Sequence, residues 1–414
     1  TLGAFSSKFM IAEPLWNVTA KAGKKTLVMH WPGGSFPPSI DSENLFTIDG
    51  SSPGACCAWS NERDYDMLYV ASTKCQKPGY APMAVKTSEL EGDEEIKFAW
   101  HTTTAGKSPE AKERLKKYQD WYKEFLNVEG YTPSPTFVVD NVIYDDVKGG
   151  MWHLADFPTG ASVSPVFPAN GWEFEIPADA REFLIITYFG KVMRPALILK
   201  NEAGVYDRVA IYKDKATAEP LAILENDVMQ GVYDVVPTAN GFEKVYRNMR
   251  MLKIAEDGSY VRIWSSPTVL LDDDKIFYPK SLHKELFDLF GPMPPSSQMS
   301  GRDADLIMKC NNPQWKLAAD WQSKCIHHLI ETKDIKAVFS HYHNIDLQTH
   351  NYIKYMKERS TSKISEAQAI EYAEATYKVT ITDETNACKA EKTINIKENK
   401  QNPLIDIKSL PSVC

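Results

Sequence analysis

The sequence predicts an α/β protein: a mostly parallel sheet flanked by helices, with an inserted β-rich cap and a small β tail. Three observations carry this. Residues 14–38 read as helix, apolar strand and Gly-rich loop, the grammar of a parallel α/β sheet. Ile335 to Ser340 reads as a second apolar strand, feeding a polar, histidine-rich segment. Between them, residues 135–275 turn into short β-type runs divided by turn signals. The predicted organisation is 1–150, first part of the α/β core; 151–290, β-rich cap or insertion; 291–376, second part of the core; and 377–414, β tail.

Taken in order, Pro14 to Gly23 is a short helix with proline near its start and glycine at its end. Lys25 to Trp31 is a buried strand, and Pro32-Gly33-Gly34 ends it, leaving a Pro-rich loop to Pro38. In parallel sheets, ligands gather where strand C-termini open into such loops. Ser108 to Asn127 is a helix with an N-cap serine, a proline next and a Leu/Tyr/Trp/Phe stripe. The β-type runs are Thr136–Val139, Glu173–Ile176, Phe183–Tyr188, Ala196–Lys200, Val209–Tyr212, Tyr246–Ile254 and Tyr260–Trp264. Residues 278–335 are mostly helical with a break at Gly291–Pro295, Gln348 to Tyr377 is helix, and the tail alternates as short strands.

The chain has 414 residues, enough for two or three domains. With 43% hydrophobic and 25% charged residues it has a globular composition. A net charge of -8 and no long basic run argue against nucleic acid as the main partner. No apolar run approaches the length of a transmembrane segment. Seven cysteines are spread widely, with one adjacent pair, Cys56-Cys57, and no CxxC; this fits reduced thiols better than a disulfide framework. The chain starts at Thr1 without a signal-peptide pattern, which leaves the compartment open.

The segment Ala337 to His350, AVFSHYHNIDLQTH, concentrates the candidate chemistry. Asp346 and His350 stand four apart, one helical turn, so a carboxylate oxygen and an imidazole nitrogen share a face. That pair suits a zinc-like divalent ion; the alternative is a capping Asp346 and a surface His350. His341 and His343 alternate with Tyr342, so both point one way, into a substrate pocket or a shell around the metal, or into hydrogen bonds inside the sheet. His30 and the pair His327-His328 read as structural. Asp272-Asp273-Asp274 reads as a solvated turn, because three adjacent acids cannot converge. Asn17-Val18-Thr19 matches a glycosylation acceptor but lies inside a predicted helix.

Two of these segments resemble a known family. PLWNVTAKAGKKTLVMHWPGGSFPP (Pro14–Pro38) is similar to the P-x-W-x-x-A-x-x-x-G-x-K, strand, WPGS segment of type I phosphodiesterase/nucleotide pyrophosphatase proteins, members of the alkaline phosphatase superfamily. VFSHYHNIDLQTH resembles the later strand of that family, which ends in D-x-x-x-H. The resemblance spans residues 1–377 and implies an alkaline-phosphatase-like fold, with Asp346 and His350 as ligands of one zinc ion in a two-zinc site. The family's first metal-binding Asp and its Thr or Ser nucleophile precede the P-x-W segment, and its Ser-Asp-His-Gly motif follows the later strand; none of these has a counterpart here, so the catalytic nucleophile is unassigned. Tyr377–Cys414 resembles one β-sandwich repeat of bacterial surface adhesins, V-T-V-T-D-x-N-G-C in type, with Asn386-Ala387-Cys388 in place of Asn-Gly-Cys.

The resemblance implies metal-dependent hydrolysis of a phosphodiester, phosphomonoester or related ester, in which one zinc polarises the ester oxygen and the other activates the nucleophile. The expected partners are a small phosphate-ester substrate and a companion polypeptide that completes the site. The alternative is a catalytically inactive binding or cell-surface structural protein on a degenerate hydrolase scaffold. Hydrolase relatives and the adhesin-like tail imply a place outside the cytoplasm or at the cell surface; the cysteine usage points the other way.

Overall fold

The structure, a computed structural model, describes residues 6–51, 61–64, 66–73, 136–140, 162–164, 166–188, 191–238, 241–297, 304–347, 365, 367–368, 370–371, 379–383 and 388–392. It divides into two units, Thr1–His343 and Asn344–Cys414. In chain order the first unit contains α1 (Leu15–Lys21), β1 (Thr26–Met29), β2 (Leu45–Ile48), β3 (Met67–Ser72), β4 (Thr136–Asp140), β5 (Ser162–Val163), β6 (Phe167–Pro168), β7 (Arg181–Thr187), β8 (Val192–Lys200), β9 (Tyr206–Ile211), β10 (Ala222–Glu225), β11 (Met229–Thr238), β12 (Gly241–Ile254), β13 (Tyr260–Ser265), β14 (Val269–Leu270), β15 (Phe277–Tyr278), α2 (Ser281–Phe290), α3 (Ala304–Lys333) and β16 (Ala337–Ser340). The second unit contains the antiparallel hairpin β17 (Val379–Asp383) and β18 (Cys388–Lys392), paired from Val379 with Lys392 to Asp383 with Cys388. The predicted helix at Ser108–Asn127 lies outside the described residues, as does most of the one predicted from Gln348.

A four-stranded sheet, ordered β15-β2-β1-β16, forms around the apolar run Thr26-Leu27-Val28-Met29. All four residues are buried, because helices cover both faces and neither set of alternating side chains meets water. Leu27 and Met29 pack with Leu282 and Leu286 of α2 and with Trp321, Cys325 and Leu329 of α3. Val28 points the other way, to Trp16 and Ala20 of α1. Each such buried side chain contributes about 1.5–3 kcal/mol of transfer free energy. The glycine at position 23 (φ +72) closes α1 and reverses the chain into β1. β1 runs parallel to both neighbours, with Met29 level with Ile48 on β2 and with Ser340 on β16.

The larger sheet has twelve strands, with the main path β10-β9-β8-β7-β5-β4-β3-β13-β12-β11, and every pair in it is antiparallel. One apolar core takes inward side chains from both ends of this path, among them Leu224, Ile211, Ile198, Phe183, Tyr69, Ile263, Met251 and Val232. The sheet therefore curls round its own core. The N-terminal half of α3 lies against it: Gln314 accepts from Asn248 of β12 (2.8 Å) and donates to the Pro295 carbonyl (2.7 Å). The helix thus bridges the large sheet and the small one.

This architecture corrects the predicted fold class. The described chain is β-rich with mainly antiparallel sheets, not a mostly parallel α/β sheet flanked by helices. The reason is connection length. Parallel neighbours need a crossover of a dozen or more residues, whereas β8 and β9 are joined through a turn at Asn201–Val205 and β12 and β13 through one at Ala255–Ser259. Links this short permit only antiparallel return. The helix–strand–loop grammar of residues 14–34 describes the small sheet alone. Glu173–Ile176, predicted as a strand, is irregular; Trp172, Phe174 and Ile176 pack instead on Tyr212 and Leu197.

Candidate functional site

Because β1, β2 and β16 are parallel and level, their C-terminal ends open on one edge. The residue after each strand lies in one row across it: Asp49 after β2, His30 after β1 and His341 after β16. Backbone bonds hold the row, with His30 N–H donating to Ile48 O (2.9 Å) and His341 N–H to Met29 O (3.2 Å). The Pro32-Gly33-Gly34 loop leaves from the same edge. Gly33 and Gly34 both have positive φ, +80 and +74, and a Cβ on Gly34 would sit 1.9 Å from the Met10 sulfur. Glycine is required there by conformation and by space.

His30 is buried and takes a left-handed conformation (φ +52), uncommon for a residue with a side chain. Its ring stacks on Trp321 of α3 at 6.4 Å and 19°. Burial pushes its pKa down to about 4, opposed by a hydrogen bond with Gln322 and assisted by the nearby His341, so the imidazole is neutral at pH 7. Gln322, next on α3, donates from Nε2 to Ser340 Oγ (2.7 Å) and to His341 O (2.9 Å). Two adjacent α3 side chains thus fix both strand ends. His341 and His343 are half-buried with ring centroids 4.9 Å apart, and Tyr342 between them is exposed.

Asp346 belongs to the second unit, is exposed, and lies in a short helical stretch at 344–347; His350 lies outside the described residues. Among the described residues no three His, Cys, Asp or Glu side chains converge as metal donors.

Other polar residues singled out in the sequence have structural partners. His328 bonds Glu285 (2.9 Å), which also pairs with Lys333 (2.8 Å). Asn17 is buried and donates to Ser39 Oγ (2.8 Å). Asp273 caps the turn at Lys275 and faces Arg63, while Asp274 pairs with Lys280, so the acid triplet does diverge.

Sequence reasoning missed a second polar cluster, at the seam between the two sheets. Glu62 Oε1 accepts from Ser51 Oγ (2.5 Å), Ser296 N (2.7 Å) and Ser296 Oγ (2.7 Å). Asp66 accepts from Ser297 Oγ (2.6 Å) and Trp264 Nε1 (3.1 Å). Between them, Asp64 accepts from Thr268 N (2.5 Å) and Tyr188 Oη (3.0 Å) and faces buried Arg247 at 3.5 Å. The available signal was the spacing of acids at 62, 64 and 66 running into an apolar strand. It reads as alternation, but in fact all three acids are held by donors.

No known family model matches the chain, nor does any curated protein or solved structure.

Proposed function

We propose that this chain carries part of a metal-dependent hydrolase of phosphate esters, working at the edge of the small sheet where its three parallel strands end. One observation carries the reading. The two segments whose motifs suggested it are far apart in sequence, yet β1 and β16 pair directly, so the Trp31-Pro32-Gly33-Gly34 loop and the His341-Tyr342-His343 segment leave the same edge. Strand ends of this kind collect ligands because the loops that leave them converge around a crevice. His341 and His343 would contact the substrate. In the second unit, Asp346 and His350 are the residues that the motif resemblance implies as ligands of one zinc ion, whose chemistry is to polarise an ester oxygen. No residue of this chain is assigned as the nucleophile, and the remaining ligands would come from a companion polypeptide.

A second reading is favoured by the extent of the antiparallel body: a binding or surface structural protein whose small sheet is a remnant of a hydrolase site. The test separates the two. The purified protein is equilibrated with zinc, its metal content is measured by elemental mass spectrometry, and hydrolysis of p-nitrophenyl phosphate and bis(p-nitrophenyl) phosphate is followed. The hydrolase reading expects bound zinc that Asp346→Asn and His350→Ala each lower at least tenfold in affinity, and turnover that falls with it. Zinc binding unchanged in both variants overturns it.

A further inference from the structure

Single apolar side chains scattered over a surface need no explanation, whereas a concentration of them does. Phe9, Met10, Ile11, Leu15 and Val18 are all exposed and fall within one short stretch of chain. Phe9 is 69% exposed, Leu15 is 60% exposed, and Ile11 is bare to solvent. Helix α1 accounts for two of them. Its Trp16 and Ala20 fill the core against Val28, so Leu15 and Val18, three apart on the other side, are turned outwards. The residues before the helix are pinned to the loop that follows β1. Ser7 N–H donates to Phe36 O (3.0 Å), Ser7 Oγ donates to Pro37 O, and Met10 N–H donates to Ser7 O (3.0 Å). A Cβ on Gly34 would meet the Met10 sulfur, so that side chain lies against the same loop. Phe9 and Ile11 are thus held out from an anchored backbone.

The charge around these side chains has one sign. Residues 6–25 carry Lys8, Lys21, Lys24 and Lys25 against Glu13 alone, in a chain whose net charge is -8. Glu13 pairs with Lys21, and both are exposed. Lys8 and Lys24 are exposed and enter no ion pair among the described residues. We propose that this face docks on an anionic lipid surface: Phe9, Ile11, Leu15 and Val18 enter the boundary between headgroups and acyl chains, and the lysines meet lipid phosphates. The outline favours lipid over a protein partner. Separate protruding side chains require matching sockets in a packed protein interface, whereas acyl chains close around any shape. The inference stands apart from the hydrolase reading. It sets the Gly34 loop, against which Met10 lies, at the membrane plane.

The test is flotation of the full chain with phosphatidylcholine vesicles, with and without phosphatidylglycerol, at low and high salt. Binding is expected to the vesicles that contain phosphatidylglycerol, and it should weaken as salt screens the charges. Lys8→Gln and Lys24→Gln are each expected to lower the partition coefficient about fivefold, the worth of one lysine near an anionic surface. Ile11→Ser is expected to lower it by at least about tenfold, and Ile330→Ser, at an exposed site on α3, to leave it unchanged. No binding of the wild-type chain at low salt overturns the proposal. So does equal binding to the two vesicle types, or a loss that is the same for Ile11→Ser and Ile330→Ser. If a variant does not fold by circular dichroism, the wild-type comparison of the two vesicle types decides. A chain that ignores vesicles, is dimeric by light scattering and becomes monomeric with Ile11→Ser would give the face to a second copy and overturn the lipid surface.

Discussion

Glu62 is a half-buried residue whose carboxyl is enclosed at the meeting of three segments, and its ionisation should set how stability varies with pH. Burial raises its pKa from 4.5 to about 7, outweighing the bonds from Ser296 and Ser51 that favour the charged form; Asp66 adds to the rise. A carboxyl raised in the native state is more readily protonated there than in the unfolded chain. Its contribution is therefore most favourable below about pH 4.5 and is lost as pH rises to about 7, with no further change above. A shift from 4.5 to about 7 corresponds to on the order of 3 kcal/mol. Glu62→Gln isolates the effect: the amide oxygen can still accept from Ser51 and Ser296 but never ionises. Urea unfolding of both proteins between pH 4.5 and 8 is the assay, because the difference between them cancels every other titrating group. The two should be nearly equal in stability at pH 4.5, and at pH 8 the variant should be more stable by up to that amount. A difference that does not vary with pH, or a variant less stable at pH 8, would refute the argument, since the serine donors would then outweigh desolvation.

Two further predictions concern the same unit and are read by urea unfolding at neutral pH. Asp64→Asn leaves the buried Arg247 guanidinium without its counter-charge and should cost about 3–5 kcal/mol, whereas Asp288→Ala, which breaks the exposed pair with Lys284, should cost less than about 0.5. The double change Asp64→Asn with Arg247→Met should recover part of the loss; no recovery would mean that Asp64 acts through Thr268 and Tyr188 rather than through the ion pair. Leu27→Ala, at the centre of the small sheet, should cost about 2–5 kcal/mol, while Val18→Ala on the exposed side of α1 should stay within about 0.5.

The edge site was legible in part. The apolar strand, its glycine loop and the histidines after the second strand are all local patterns, and a run such as Thr26–Met29 specifies its own burial on two faces. What those patterns do not contain is partnership. His30 reads as packing in the sequence because Trp321, which stacks on its ring, and Gln322, which holds the strand end beside it, lie on a helix distant in sequence. The Glu62 cluster escaped for the same reason, since its donors Ser51 and Ser296 come from separate segments.

By itself, then, the sequence determined which stretches are strand, helix or turn through much of the described chain, and which polar side chains lie next to strand ends. Only the tertiary structure decided how the strands pair. A period-two pattern is the same in parallel and antiparallel sheets, so the fold class turned on connections whose shortness forces the chain to double back, as between β7 and β8, β8 and β9, β11 and β12, and β12 and β13. It also decided the electrostatics. A carboxyl or imidazole takes its charge state from the groups that displace water around it, and for Glu62 and His30 those groups arrive from distant parts of the chain.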